Sequence, residues 1–241
     1  ETVRDIPVVL LPGSMCDHRL FTDQVENLGS DVVVGDLTRS DSIEQMALDV
    51  LDAAPERFAL AGLSLGGIVA AEIASRAPHR LYGVALLDTN LALPDGQQLD
   101  ARAMWARRVR SGEFASVLAE HLVVPMTVHP EHQSLVFDMA FGLGAAVFLQ
   151  QNEALLNRRD RRDDLASLSV PILVACGRED EICPAHIHRD LVTRTPGAEM
   201  AVVDGAGHLA TIDQPQALTR VLENWLTVCV DTTTTYRGRQ S

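Results

Sequence analysis

The chain has 241 residues, 46% apolar and 22% charged, with 20 basic against 33 acidic residues for a formal charge of −13. That length suits one α/β domain carrying an insertion. So acidic a surface repels nucleic acid and anionic membrane, and neither is expected as a partner; the longest apolar runs are strand-sized, short of the ~20 residues that span a bilayer.

No charged n-region with a following apolar h-region opens the chain, so no signal peptide is expected. Cys16, Cys176, Cys183 and Cys229 lack the C-x-x-C spacing of a zinc site and are too few for a disulfide framework. They read as thiols of a reducing cytoplasm. Cys16 and Cys183 fall near the site described below, without an expected catalytic role.

Taken in order, residues 6–11 are a continuous apolar run, as in a strand buried on both faces of a parallel sheet. It ends in the Gly-bearing loop Pro12-Gly13-Ser14-Met15-Cys16-Asp17. Leu20 to Leu28 is weakly helical, and residues 31–36 hold a short β-branched strand. Asp41-Ser42-Ile43-Glu44 is an N-cap signal ahead of an amphipathic helix through Leu51. Residues 58–63 form an apolar strand, and a helix from the following turn runs to about Ala77, ahead of Pro78. Leu81 to Leu87 is the next strand, stopped by Asp88-Thr89-Asn90.

The β-α alternation predicts a mainly parallel sheet of about six strands flanked by helices, with ligands beyond the carboxyl ends of the strands. It breaks at Leu91. Residues 91–162 offer helix-like segments only, at 98–111, 113–122, 132–141 and 145–158, and are read as an inserted helical cap. Trp105, Met126, Met139, Phe141 and Phe148 are read mostly as its packing, with a few lining a pocket. Arg102, Arg107, Arg108, Arg158, Arg159, Arg161 and Arg162 are candidates for carboxylate recognition, although the run 158–162 reads first as a solvated face. The sheet resumes near Val170 and ends at Val203, so the core is expected to comprise residues 1–90 and 163–230. A helix opens at Pro184, another spans Gln214 to Leu226, and 231–241 is read as a polar, frayed tail.

Three positions carry the candidate chemistry. Gly62-Leu63-Ser64-Leu65-Gly66 has the form G-x-S-x-G between a strand and a helix. A side chain exposed on so sharp a turn needs glycine on either side, and the helix N-terminus favours developing negative charge. A serine hydroxyl needs a base, and the base an orienting group. His208, in Gly205-Ala206-Gly207-His208 after the last strand, is the best base; Asp180, in the loop after the resumed strand, is the best orienter, with Glu179 and Glu181 as near rivals. The backbone N–H of Leu65 would donate to an oxyanion, and that of Ser14 would be the second donor, with Met15 as fallback.

With these motifs, Pro12-Gly13-Ser14-Met15, Gly62-Leu63-Ser64-Leu65-Gly66-Gly67, Leu86-Leu87-Asp88-Thr89-Asn90, Gly177 through Pro184, and Gly205 through His208, the chain resembles the α/β-hydrolase superfamily over essentially residues 6–227. It departs in opening the oxyanion loop with Pro12-Gly13 where the family has His-Gly, and in lacking the N-terminal antiparallel hairpin. The resemblance implies a serine hydrolase acting on a small ester or related acyl substrate, with enol-lactonase, thioesterase and carbon–carbon bond hydrolase as variants on the same triad. A non-catalytic small-ligand receptor of the same fold is the alternative of another class. Such chemistry needs neither metal nor organic cofactor, so none is expected. A homodimer is left open.

Overall fold

A computed structural model describes residues 6–29 and 31–237. Six strands, β1 (Val8–Leu11), β2 (Val32–Val34), β3 (Phe58–Leu63), β4 (Leu81–Leu87), β5 (Ile172–Gly177) and β6 (Glu199–Val203), form one sheet in the order β2-β1-β3-β4-β5-β6. Every pairing in it is parallel. The helices are α1 (Thr22–Asn27), α2 (Ile43–Ala53), α3 (Leu65–Arg76), α4 (Gly96–Arg110), α5 (Phe114–Leu118), α6 (Val124–Met126), α7 (Gln133–Leu156), α8 (Arg162–Leu165), α9 (Ala185–Arg194), α10 (Ala210–Asp213) and α11 (Pro215–Arg237).

The period-2 alternation of the strands builds two cores. Val8, Leu10, Ala59, Ala61, Leu63, Ala85 and Leu87 face one way, onto Leu20 and Phe21 just before α1 and onto Leu218, Leu222, Trp225 and Leu226 of α11. Val9, Leu11, Phe58, Leu60, Val84 and Leu86 face the other, onto α2, α3 and Leu191 of α9. Covered on both faces, β1, β3 and β5 are buried at every residue, and so read as unbroken apolar runs. β4 is buried but for Tyr82, and the edges, β2 and β6, are partly open.

The chain leaves β1 toward β2 and then returns to lay β3 on the other side of β1, so the winding reverses between β1 and β3. In open parallel sheets the crevice beyond such a reversal is where ligands bind. The loops after β1, β3, β4, β5 and β6 carry Ser14, Ser64, Asp88, Asp180 and His208 respectively.

Helices α4 to α8 occupy the interval between β4 and β5. The segments expected at 132–141 and 145–158 form one long element, α7, broken where Gly144 takes φ +88°. Over Pro130–Leu156 its mean hydropathy is 1.3, enough by length and composition to cross a bilayer and longer than any apolar run expected from sequence. In the fold its residues Val136, Met139, Ala140, Phe148, Ala154 and Leu155 pack into the two cores.

Two further expectations change. The Arg158–Arg162 run is not a solvated face throughout: Arg158 is buried, and Arg161 pairs with the buried Glu72 at 2.6 Å. The C-terminal segment is helical beyond Leu226, through Arg237, because Cys229 and Val230 continue the buried stripe of Leu218, Leu222, Trp225 and Leu226. Residues 238–241 lie outside the described residues.

Candidate active site

Ser64 sits between β3 and α3 with φ +54° and ψ −112°, a left-handed backbone that costs an L-residue about 1–3 kcal/mol. The surroundings fix it. Its N–H donates to Leu87 O at 2.9 Å, and its carbonyl accepts from Gly67 N at 3.0 Å and from the Thr89 hydroxyl at 2.7 Å. Close approach explains the glycines: a Cβ at Gly62 would lie 2.1 Å from Gly66 O, and one at Gly66 2.1 Å from Leu11 O.

His208 lies on the loop between β6 and α10, 1% exposed. Its Nε2 is 2.9 Å from Ser64 Oγ and its Nδ1 is 2.9 Å from Asp180 Oδ2. The other Asp180 oxygen accepts from Ile182 N at 2.8 Å and Cys183 N at 2.9 Å. Burial works against the Asp180 carboxylate, but His208 and these two amides outweigh it and hold its pKa below the ordinary value. The three side chains named from sequence are thus brought together, 144 and 28 residues apart along the chain. The rivals Glu179 and Glu181 are exposed.

The oxyanion loop is arranged by a residue that the sequence did not single out. Gln151 of α7 accepts from Met15 N at 2.8 Å and from Ser14 Oγ at 3.2 Å, while its Nε2 donates to Leu37 O at 3.1 Å. Met15, with φ +58°, turns the loop there. The fallback donor is therefore occupied, and the Ser14 N–H has no protein acceptor among the described residues. Leu65 N is the first amide of α3, one of those that a helix leaves unpaired.

Asp213 was also missed. Its carboxylate, fully shielded, accepts from Gly207 N at 2.8 Å, Val128 N at 3.2 Å, His132 Nδ1 at 3.1 Å and the Thr127 hydroxyl. It binds the segment after α6 to the turn that presents His208. The only early signal was an acid five residues after His208. Buried His188 of α9 accepts from Thr89 N at 3.0 Å, so its imidazole is neutral; burial, above all, lowers its pKa.

Above Ser64 lies a cavity of about 360 Å³, lined by Ser14, Ser64 and His208 from the sheet loops and by Arg102, Trp105 and Phe148 among others from the inserted helices. Met126 also lines it, whereas Met139 is core and Phe141 is exposed, stacked on Phe114 and Phe137. Cys183 lines it as well, but burial and then the carboxylates of Asp180 and Asp88 push its thiol pKa far up, so it is no thiolate. Cys16 is likewise pushed up to about 12 by burial and Asp17. Among the described residues one group of candidate metal ligands gathers within 4.8 Å: Asp180, Cys183 and His208. Two of its members are already hydrogen-bonded to each other.

A parallel sheet with a serine on a strand-to-helix turn, hydrogen-bonded to a histidine beneath a cavity, defines the class of hydrolases built on a nucleophile elbow. Residues 8–221 match the alpha/beta hydrolase family, and the chain belongs to it. It is 32% identical over 180 residues to a 2-succinyl-6-hydroxy-2,4-cyclohexadiene-1-carboxylate synthase of Serratia proteamaculans, covering 71% of this chain and 68% of that one. It is 23% identical over 226 residues to a pimeloyl-(acyl-carrier protein) methyl ester esterase of Aeromonas hydrophila, covering 90% and 88%. In three dimensions it resembles a malate-bound thermophilic esterase from Thermogutta terrifontis with a TM-score of 0.85, at 26% identity and 95% and 92% coverage.

Proposed function

We propose that the protein is a serine hydrolase that cleaves a small carboxylic ester, or a related acyl bond, through an acyl-enzyme. The observation that carries this reading is the unbroken line from Asp180 through His208 to Ser64, two contacts of 2.9 Å each, opening on a cavity of about 360 Å³. The likeness to a methyl ester esterase and to a thermophilic esterase supports an ester as the bond attacked.

In this mechanism Ser64 Oγ attacks the acyl carbon as His208 Nε2 takes its proton. Asp180, held ionised by His208 and by two backbone N–H groups, fixes the imidazole and stabilises the imidazolium. The oxyanion receives the N–H groups of Leu65 and Ser14, and losing one such donor typically costs about 3 kcal/mol of barrier. His208 then protonates the departing alkoxide, leaving the acyl group on Ser64. Water, deprotonated by the same imidazole, attacks that ester and releases the acid. Lactone, thioester and activated carbon–carbon substrates would use the same steps. The cysteines support a reducing, cytoplasmic setting: all four are buried, and no disulfide joins them among the described residues.

A fluorophosphonate probe followed by peptide mapping tests the assignment. Ser64 is expected to be labelled, and both labelling and turnover of short methyl esters to vanish in Ser64→Ala. Labelling at another residue, or a folded protein with neither labelling nor turnover, as a ligand receptor would show, overturns it.

A further inference from the structure

Two guanidinium groups line the cavity above Ser64, and no carboxylate accompanies them. Arg102 of α4 and Arg158, just beyond α7, both border it, and no Asp or Glu does. Among the described residues neither arginine makes an ion pair; the acids near Arg159, Arg161 and Arg162 are taken up by those residues instead. In a chain with 33 acidic residues against 20 basic ones, partners for two arginines are abundant, so their absence here is a property of the site.

Each guanidinium has five N–H groups. Arg158 directs Nε and Nη2 to Ala92 O at 3.2 and 2.5 Å and Nη1 to Leu155 O at 2.8 Å, which leaves two N–H groups and an uncompensated charge in a buried side chain. Arg102 gives one N–H to Asn152 Oδ1 at 3.3 Å and leaves four. Burial first, and Arg158 second, bring the Arg102 pKa down to about 10, so it stays protonated at neutral pH beside a like charge. The Trp105 indole N–H, on the same wall, is buried without an acceptor. A buried cation without an ion-pair partner, with a half-buried one beside it on the same cavity, favours an anion that both can reach.

We propose that the substrate carries a carboxylate besides its reacting acyl group, so that the enzyme acts on half-esters or lactones of small dicarboxylic acids. The carboxylate lies in the Arg102 fork, with Arg158 as the second cation, and the reacting carbonyl lies over Ser64. A planar fork matches a carboxylate in two parallel hydrogen bonds, and a cavity of about 360 Å³ holds a short diacid. This inference rests on the serine-hydrolase reading for its chemistry, but the anion site is testable apart from it.

The kinetic test compares monomethyl glutarate with methyl pentanoate, which share the ester and the carbon chain and differ in ending on a carboxylate or a methyl group. Wild type is expected to favour the half-ester in kcat/KM, and Arg102→Gln to shrink that preference by about 10- to 100-fold, chiefly through KM, with part restored in Arg102→Lys. Equal kcat/KM for the two esters in wild type, or equal losses on both in Arg102→Gln, overturns the proposal. The binding test titrates glutarate into Ser64→Ala by calorimetry, with inorganic phosphate as the second arm. Glutarate is expected to bind and to lose its affinity when Arg102→Gln is added; tighter binding of phosphate, or glutarate binding indifferent to Arg102, overturns the carboxylate assignment. If glutarate binds but no ester is turned over, the hydrolase reading falls and the anion site stands. If methyl pentanoate is cleaved and glutarate does not bind, the reverse holds.

Discussion

Asp88 and Asp180 lie at the ends of β4 and β5, near enough that, on top of burial, the Asp180 carboxylate raises the Asp88 pKa. Asp88 is fully buried; burial first, and the Asp180 carboxylate next, raise its pKa well above the ordinary range. One of its oxygens accepts from Gly177 N at 2.7 Å, and the other has no partner as an acceptor. A proton on Asp88 would let a carboxyl oxygen donate to Asp180, in keeping with the side-chain interaction between the two that raises the Asp88 pKa.

Asn is the isostere of a protonated Asp, so Asp88→Asn should keep activity within about threefold, whereas Asp88→Leu should lose it with Asp180 deprived of a donor. The pH dependence has a definite sign. Unfolded, Asp88 ionises near pH 3.9; folded, it does so well above, so its proton costs the wild type stability increasingly as pH rises from about 4 toward the folded value. Asp180, depressed in the fold, does the opposite, adding stability above about pH 4 that is lost as pH falls through its folded pKa. Urea unfolding from pH 4 to 7 should show Asp88→Asn gaining on wild type with rising pH. A widening deficit instead would mean that Asp88 is ionised.

Gln151→Leu should lower kcat by about tenfold. It leaves the buried Met15 N–H without an acceptor, at roughly 1–3 kcal/mol, and frees the loop that aims the Ser14 N–H. Steady-state kinetics and a thermal melt on the same sample separate the two effects. If Tm falls and kcat does not, Gln151 braces the fold and has no part in placing the donor.

Asp213→Ala should be the most disruptive change outside Ser64, Asp180 and His208. Four donors converge on this carboxylate, one of them the amide immediately before His208. Stranding buried donors costs about 1–3 kcal/mol apiece, so a loss of about 3 kcal/mol or more in urea is expected, with kcat/KM falling as the His208 turn loosens. Wild-type kcat/KM in Asp213→Ala would show that the turn holds without this anchor.

The contrast between what the sequence revealed and what it hid follows from range. Ser64, His208 and Asp180 stood out because each lies in a turn after an apolar run, where Gly62, Gly66, Gly177 and Gly207 record close backbone approaches locally. The inner strands β1, β3, β4 and β5 were readable for a related reason: burial on both faces leaves nearly uninterrupted apolar runs. Gln151 and Asp213 left no such mark, since their partners lie as far as 137 and 86 residues away and their neighbours in sequence are ordinary helix. Arg158 was obscured by its company, a buried cation at the head of a run whose other arginines reach carboxylates. The continuation of α11 was obscured by propensity: threonines 232–235 disfavour helix, and packing of Cys229 and Val230 overrides them.

The glycines of α7 provide a test of the backbone itself. Gly142 is exposed, and a Cβ there would meet nothing within 4 Å, so Gly142→Ala removes unfolded-state freedom at no steric cost and should stabilise by about 0.5–1 kcal/mol. Gly144, two residues on, has equally open surroundings but takes φ +88°, where an L-residue is strained. Gly144→Ala should therefore destabilise by about 1 kcal/mol or more, or else straighten α7 and draw Phe148 and Gln151 from their places, with a fall in kcat. Opposite signs for the two variants in chemical denaturation are the expected result. If Gly144→Ala proves as benign as Gly142→Ala and as active as wild type, the break in α7 is not what sets Gln151 against the Ser14 loop.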